Sequence, residues 1–235
     1  MPMSGILIGD AADTLTERAA SLIQRDILAG QLAPGTRLGI GDLAQRYEIG
    51  ATPVREGLSR LVSRGLIVAI GQRGFRVASV SREDLADITR IRTVIEIEAL
   101  RLSIAQGGDA WEAGIVSTLH QMKRYIERSG RQFTEGADDF DVLHKGFHTA
   151  LLAACGSPRM LAARADLYDQ AYRYRRVMMR SFDNGEHFVQ VHQALADRVL
   201  ARDTDAACGM LTDHLVSTLR YVYPDQDGGA GTRTD

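Results

Sequence analysis

The apolar residues of this chain change period once. Up to Leu61 they recur at helical spacing. In Leu66-Ile67-Val68-Ala69-Ile70 and Phe75-Arg76-Val77-Ala78 the period becomes two, around the turn residues Gly71-Gln72-Arg73-Gly74. After Val80 the pattern is helical again, and no further strand is expected. The chain is therefore mostly α, with one β-hairpin placed between two sets of helices.

The first set is short. Thr14-Leu15-Thr16-Glu17 is a capping box and opens an amphipathic helix with Leu15, Ala19, Leu22, Ile23 and Ile27 at helical spacing. Gly30 stops it, and Ala33-Pro34-Gly35 turns the chain. A helix over about 41–48 and another from Thr52-Pro53 to about Arg64 follow. Thr52 suits the N-cap and Pro53 the first helical position, while Gly65 suits the residue after the C-cap. Helix, helix, turn, helix and hairpin make a winged helix-turn-helix over residues 13–80. The second set has six helices, roughly 81–105, 109–129, 137–155, 158–182, 184–202 and 203–221. They predict an all-α bundle over 81–222. Residues 1–12 read as a loose tail and 223–235 as a disordered one.

Net charge of −2 hides an uneven distribution. Within residues 46–76 six arginines (Arg46, Arg55, Arg60, Arg64, Arg73, Arg76) face only Glu48 and Glu56, a local basic footprint suited to nucleic acid. The longest apolar run, Ala150 to Cys155, is far below the roughly 20 residues a membrane span needs. The first residues lack the basic and apolar regions of a secretory signal, and two cysteines make no disulfide framework. A cytoplasmic protein with no membrane partner is expected. There is no nucleophile elbow, HExxH, Walker A or dinucleotide fingerprint.

Three constellations carry candidate chemistry. Thr52 and Arg55 lie in the N-terminal turn of the third helix, from which side chains reach base edges in the major groove. Arg can pair bidentately with guanine O6 and N7. Arg37, Arg60 and Arg64 suit phosphates, and the hairpin tip Gln72-Arg73-Gly74 can follow the adjacent backbone. The bland alternative is a surface helix with scattered arginines.

The second constellation is histidine. His144 and His148 are four apart and share a helix face with Asp141, while His192 and His214 lie on later helices. Four imidazoles from three helices can converge on a divalent metal ion such as zinc or nickel. Alternatively, each is a surface or hydrogen-bonded residue, as His120 and His187 are expected to be. The third is Arg92, four residues before Glu96: an exposed ion pair, or a buried carboxylate clamp. Arg173-Tyr174-Arg175-Arg176 is similarly ambiguous, with most of it expected in solvent.

These segments resemble a known family. Asp26-Ile-Leu-Ala-Gly30-Gln-Leu-Ala-Pro34-Gly35-Thr-Arg-Leu38, Leu43-Ala44, Thr52-Pro53-Val54-Arg55-Glu56-Gly57-Leu58 and Gly65-Leu66 are similar to the GntR-type winged helix. The helical remainder, with Phe147-His148-Thr-Ala-Leu, His192, Arg202-Asp203 and His214, resembles the FCD effector domain of the fatty-acid-repressor subfamily. Ala105-Gln-Gly-Gly108-Asp-Ala-Trp111 and Cys155-Gly-Ser157 resemble its glutarate-responsive type.

The resemblance implies a homodimeric repressor of a carboxylate catabolic operon. Its winged domains would read a pseudo-palindromic double-stranded operator DNA. A small carboxylate effector, a dicarboxylate such as glutarate, would bind the helical domain. It also implies a metal held by His148, His192 and His214, with His144 or Asp141 as fourth ligand, and Arg92 and Arg173 on the effector. Two departures stand out. His144 occupies the position of the family's usual Asp, and Ala51 that of a frequent base-reading Arg. The alternative is a metal-dependent enzyme built on the histidine cluster, and a third reading is a metal-free sensor whose histidines bind the ligand directly.

Overall fold

The computed structural model describes residues 14–133, 138–178 and 184–224. The expected tails thus fall outside the described residues, apart from Tyr223 and Pro224. The chain divides into two compact units between Ser79 and Val80.

In the first unit, α1 (Leu15–Leu28) opens with the capping box: the Glu17 amide donates to Thr14 Oγ1 at 3.2 Å and the Thr14 amide to Glu17 Oε2 at 2.9 Å. The helix-turn-helix follows as α2 (Ile40–Tyr47) and α3 (Ala51–Ser63). Its short turn is possible because Glu48 adopts a left-handed φ of 55°. Here one local expectation is corrected. The N-cap of α3 is Gly50, so Thr52 and Pro53 lie inside the first turn, where the missing proline amide still costs no helical bond. The C-terminus is as expected: Gly65 takes φ 70°, its amide bonds Val62 O, and the Leu66 amide bonds Leu61 O.

The hairpin consists of β2 (Ile67–Ala69) and β3 (Phe75–Val77), joined by a 3-10 turn over Gly71–Arg73. A third strand, β1 (Arg37–Leu38), pairs antiparallel with β3 (Arg37 opposite Arg76), giving the order β1-β3-β2. Two residues are too short to show a period, so β1 left no signal in the sequence. Leu38, Ile67 and Val77 turn inward onto Ile23, Val54, Leu58 and Leu61, all buried. α1 and α3 cross closely, and Gly57 marks the crossing: a Cβ there would lie 2.9 Å from the Ala20 amide nitrogen.

The second unit holds six helices: α4 (Arg82–Gln106), α5 (Asp109–Ser129), α6 (Asp138–Leu152), α7 (Pro158–Met178), α8 (Gly185–Leu200) and α9 (Thr204–Val222). Asn184 and Asp203 cap α8 and α9 with their side chains. The core runs through Leu100, Ile115, Met122, Phe140, Phe147, Leu151, Val199 and Leu211. α4 packs on α6, α7 and α9, and α5 on α6 and α8. This places the inner faces of α4, α6, α7, α8 and α9 around one polar centre. No described helix is long and apolar enough to cross a membrane.

Candidate nucleic-acid interface and metal centre

The first unit exposes the residues proposed for DNA. Thr52 and Arg55 are exposed on the first turns of α3, opposite the buried Val54 and Leu58. Arg60 and Arg64 are exposed further along but lean on α1: Arg60 lies 3.6 Å from Glu17, and Arg64 Nη1 donates to Gln24 Oε1 at 2.8 Å. Such exposed contacts are weak and yield readily to a phosphate. In the wing, Arg73 is exposed, and its carbonyl accepts from Arg37 Nη2 at 3.2 Å, joining the hairpin tip to β1. Gly74 takes φ 99°, a conformation that favours glycine. The Gln72 side chain lies outside what is described.

In the second unit the four histidines converge. His144 and His148 project from α6, His192 from α8 and His214 from α9, and one nitrogen from each falls within 4.8 Å of the others. His144 Nε2 is 3.0 Å from His148 Nε2 and 3.1 Å from His192 Nε2. Asp141 is not among these atoms. It reaches them through Tyr168, whose hydroxyl lies 2.9 Å from Asp141 Oδ1 and 3.2 Å from His144 Nδ1. His120 and His187 are exposed on other faces.

Burial keeps the cluster uncharged. Desolvation, followed by repulsion from the neighbouring imidazoles, pushes His144 and His148 well below the ordinary histidine range, and His214 follows for the same reasons. His192 is pushed down to about 3, chiefly by burial, although its bond to a carbonyl opposes the shift.

The donor set fits a borderline divalent ion. Neutral imidazole is the form that ligates, and nitrogens about 2.0–2.1 Å from a tetrahedral zinc stand about 3.3–3.4 Å apart. His192 Nδ1 contacts the Phe188 carbonyl at 2.7 Å, which fixes that proton and leaves Nε2 as a lone pair facing the cluster. His148 Nδ1 is buried without a hydrogen-bond partner, and it is Nε2 of this ring that faces the cluster, 3.0 Å from His144 Nε2.

Around the histidines lies a group of buried cations, most of which the sequence did not reveal. Arg92 is 8% exposed and its Nε donates to Glu96 Oε1 at 2.8 Å, so this pair is buried rather than exposed. Arg164 is 2% exposed; its Nη1 donates to Thr149 Oγ1 at 2.9 Å, while its Nε and Nη2 have no hydrogen-bond partner. Arg175 Nη1 lies 2.9 Å from His144 Nδ1. The guanidinium carbons of Arg92 and Arg164 sit 5.4 and 4.8 Å from the centroid of the Tyr168 ring. Burial and the neighbouring Arg92 push Arg175 down to about 9, still protonated at neutral pH.

This corrects the expectation of a mostly solvated Arg173–Arg175 stretch: Arg173, Tyr174 and Arg175 are all buried. Arg173 lies against the Tyr174 ring and near Asp84 at the start of α4, and Arg175 takes the place beside the cluster instead.

Comparison with known proteins identifies both units. Residues 15–77 match the family described as bacterial regulatory proteins, gntR family, and residues 87–217 match the FCD domain. The chain is 36% identical over 210 residues to the HTH-type transcriptional repressor GlaR of Escherichia coli (strain K12), covering 88% of this chain and 94% of that protein. It is also 36% identical over 209 residues to the HTH-type transcriptional regulator BphR of Paraburkholderia xenovorans (strain LB400), covering 89% and 85%. Among solved structures, E. coli McbR/YncC superposes with a TM-score of 0.75 over 90% of this chain and 98% of its own, at 21% identity, a likeness of fold. These families are transcriptional regulators, which removes the enzyme reading of the histidine cluster. The chain belongs to the GntR family of bacterial regulatory proteins, in the group that carries an FCD domain.

Proposed function

We propose that this protein is a homodimeric transcriptional repressor whose grip on operator DNA is set by a small dicarboxylate in the helical unit, beside a histidine-bound zinc or nickel ion. In the winged unit, Thr52 and Arg55 would read base edges, with Pro53 shaping the turn that presents them. Arg37, Arg60, Arg64, Arg73 and the wing tip around Gln72 and Gly74 would hold phosphates. Repression is the role named for the 36% identical relative GlaR.

One observation carries the effector reading. Three buried guanidiniums, Arg92, Arg164 and Arg175, surround Tyr168 and the neutral histidines, against one fully buried carboxylate, Glu96. Asp169 is engaged by Lys145, and even with the partly exposed Asp141 counted the cations are in excess. A buried charge is costly unless paired, so this excess calls for an anion, and together with a divalent ion on the histidines it favours one bearing more than one charge. Arg164, with two donor groups unpartnered, is the foremost contact; Arg92 and Arg175 flank it, and Arg173 is left out. His148, His192 and His214, with His144 or through it Asp141, would hold the ion, which supplies a Lewis-acidic point for one carboxylate oxygen. By its differential affinity for two dimer states, the ligand shifts the population that fits the operator.

The test is a thermal-shift panel of C3–C6 mono- and dicarboxylates, with and without EDTA, followed by operator gel shifts. A specific ligand at about 100 times its Kd stabilises the fold by about 2.7 kcal/mol. A dicarboxylate that shifts the transition and alters operator binding, both lost in Arg164→Met, supports the reading. A panel without any shift overturns it.

A further inference from the structure

The hydrogen bonds around His144 form two chains that demand opposite tautomers of the same ring. Arg175 Nη1, 2.9 Å from Nδ1, can only donate. Nδ1 must then present its lone pair, and a neutral ring carries its proton on Nε2. That proton faces two nitrogens, His148 Nε2 at 3.0 Å and His192 Nε2 at 3.1 Å, and His192 Nε2 is an acceptor because His192 Nδ1–H is committed to the Phe188 carbonyl. The first chain therefore runs without conflict from the Arg175 guanidinium through His144 and His192 to Phe188 O.

The second chain runs the other way. Tyr168 Oη is 3.2 Å from His144 Nδ1, and its hydroxyl can donate to Asp141 Oδ1 at 2.9 Å. This route suits a His144 whose proton is on Nδ1, passing from the ring to the tyrosine oxygen and on to the carboxylate. It leaves Nε2 as a lone pair beside the other three imidazoles, the form a metal ligand requires. In that form the Arg175 N–H would point at an N–H, donor against donor.

We propose that His144 is a tautomeric switch that couples the metal site to Arg175. Without metal, Arg175 holds His144 as the Nε2–H tautomer. Metal binding through Nε2 moves the proton to Nδ1, hands the ring to Tyr168 and Asp141, and expels Arg175 from it. No net proton is gained or lost by the ring. Arg175 then becomes available to an anion next to Arg92, so a loaded metal site prepares the neighbouring cationic site. The inference rests on the reading of this centre as a metal and carboxylate site, and it assigns Tyr168 and Asp141 as positioning residues rather than ligands.

The ring can be read directly. Two-bond ¹H–¹⁵N correlation spectra of the ¹⁵N-labelled full chain, freed of metal and then loaded with zinc, report the tautomer of each histidine, with His144 assigned by its loss in His144→Gln. The expected result is Nε2–H without metal and Nδ1–H with zinc. Zinc affinity by competition with a chromophoric chelator adds a second readout. Tyr168→Phe should weaken zinc binding about 10-fold or more, and Arg175→Met should tighten it by about 10-fold. Loss of a positive charge alone would tighten binding without changing the tautomer, so the spectra decide. An Nδ1–H ring in the metal-free protein, or an unchanged ring with zinc bound, overturns the switch while leaving the metal site standing. Absence of zinc binding overturns both, and the chelator assay tells the two failures apart.

Discussion

Acidification should unfold the helical unit through its histidines, and the size of the effect can be worked from one of them. His192 is 1% exposed and its pKa is held down to about 3, against about 6.5 in an unfolded chain. The unfolded state therefore binds a proton below about pH 6.5 that the native state refuses until about pH 3, so this contribution is full above pH 6.5 and falls as pH drops. Between pH 7 and pH 5 the linkage removes ~2 kcal/mol for this one residue. His144, His148 and His214 shift in the same direction, so ~2 kcal/mol is a lower bound for the metal-free cluster.

Trp111 makes the measurement specific. It is the only tryptophan, it is buried in the helical core, and its indole N–H bonds Ala150 O at 2.9 Å. Its fluorescence follows the second unit without contribution from the first. Urea midpoints of the metal-free protein at pH 7 and pH 5 should show the loss. In His192→Gln, less stable throughout, the difference between the two pH values should shrink by ~2 kcal/mol. A variant that retains the full wild-type pH dependence would refute the reasoning.

Three further outcomes are expected. Arg55→Ala should weaken operator binding by roughly 1–3 kcal/mol and relax preference at one base pair, whereas Arg73→Ala should weaken all sequences alike and flatten the salt dependence, both read by titration at several salt concentrations. Gly57→Ala should destabilise the winged unit by about 1–3 kcal/mol, because the new methyl meets the α1 backbone 2.9 Å away; circular dichroism melts of wild type and variant measure it. Arg164→Met should abolish the thermal shift produced by a carboxylate while zinc affinity is retained, since Arg164 contacts Thr149, Glu96 and the Tyr168 ring rather than an imidazole nitrogen.

What the sequence showed and what it hid divide along a physical line. The helix-turn-helix was legible because each of its parts is local. Thr14 and Glu17 cap one helix across three residues, Gly65 ends another, and the switch to period two marks the wing. The four histidines were legible as well, since an i,i+4 pair plus single histidines on two later helices need only a bundle to converge. β1 escaped because two residues show no period, and the N-cap of α3 was misplaced because Gly50 offers no side chain to betray it.

The cationic centre is a different kind of miss. α7 presents Arg164, Tyr168, Asp169, Tyr172, Arg173 and Arg175, and a rule that sends charge to solvent reads it as a wet surface. In the structure all six are buried, and the apolar stripe that should mark an inward face is replaced by guanidiniums and phenols. Such a helix gains less from burial than an aliphatic one would, and folding alone gives no reason to prefer it. Local rules failed where the helix carries charge into the interior instead of an apolar stripe. That mismatch is also the strongest structural argument that the second unit is a sensor. A merely structural bundle would have no use for three buried arginines beside four neutral imidazoles, and replacing Arg92, Arg164 and Arg175 by methionine, together with Glu96→Met so that no buried carboxylate is left without its partners, should leave a metal-free protein at least as stable as the wild type while abolishing its response to carboxylates. A clear loss of stability, measured by Trp111 fluorescence in urea, would instead make the arginines part of the scaffold.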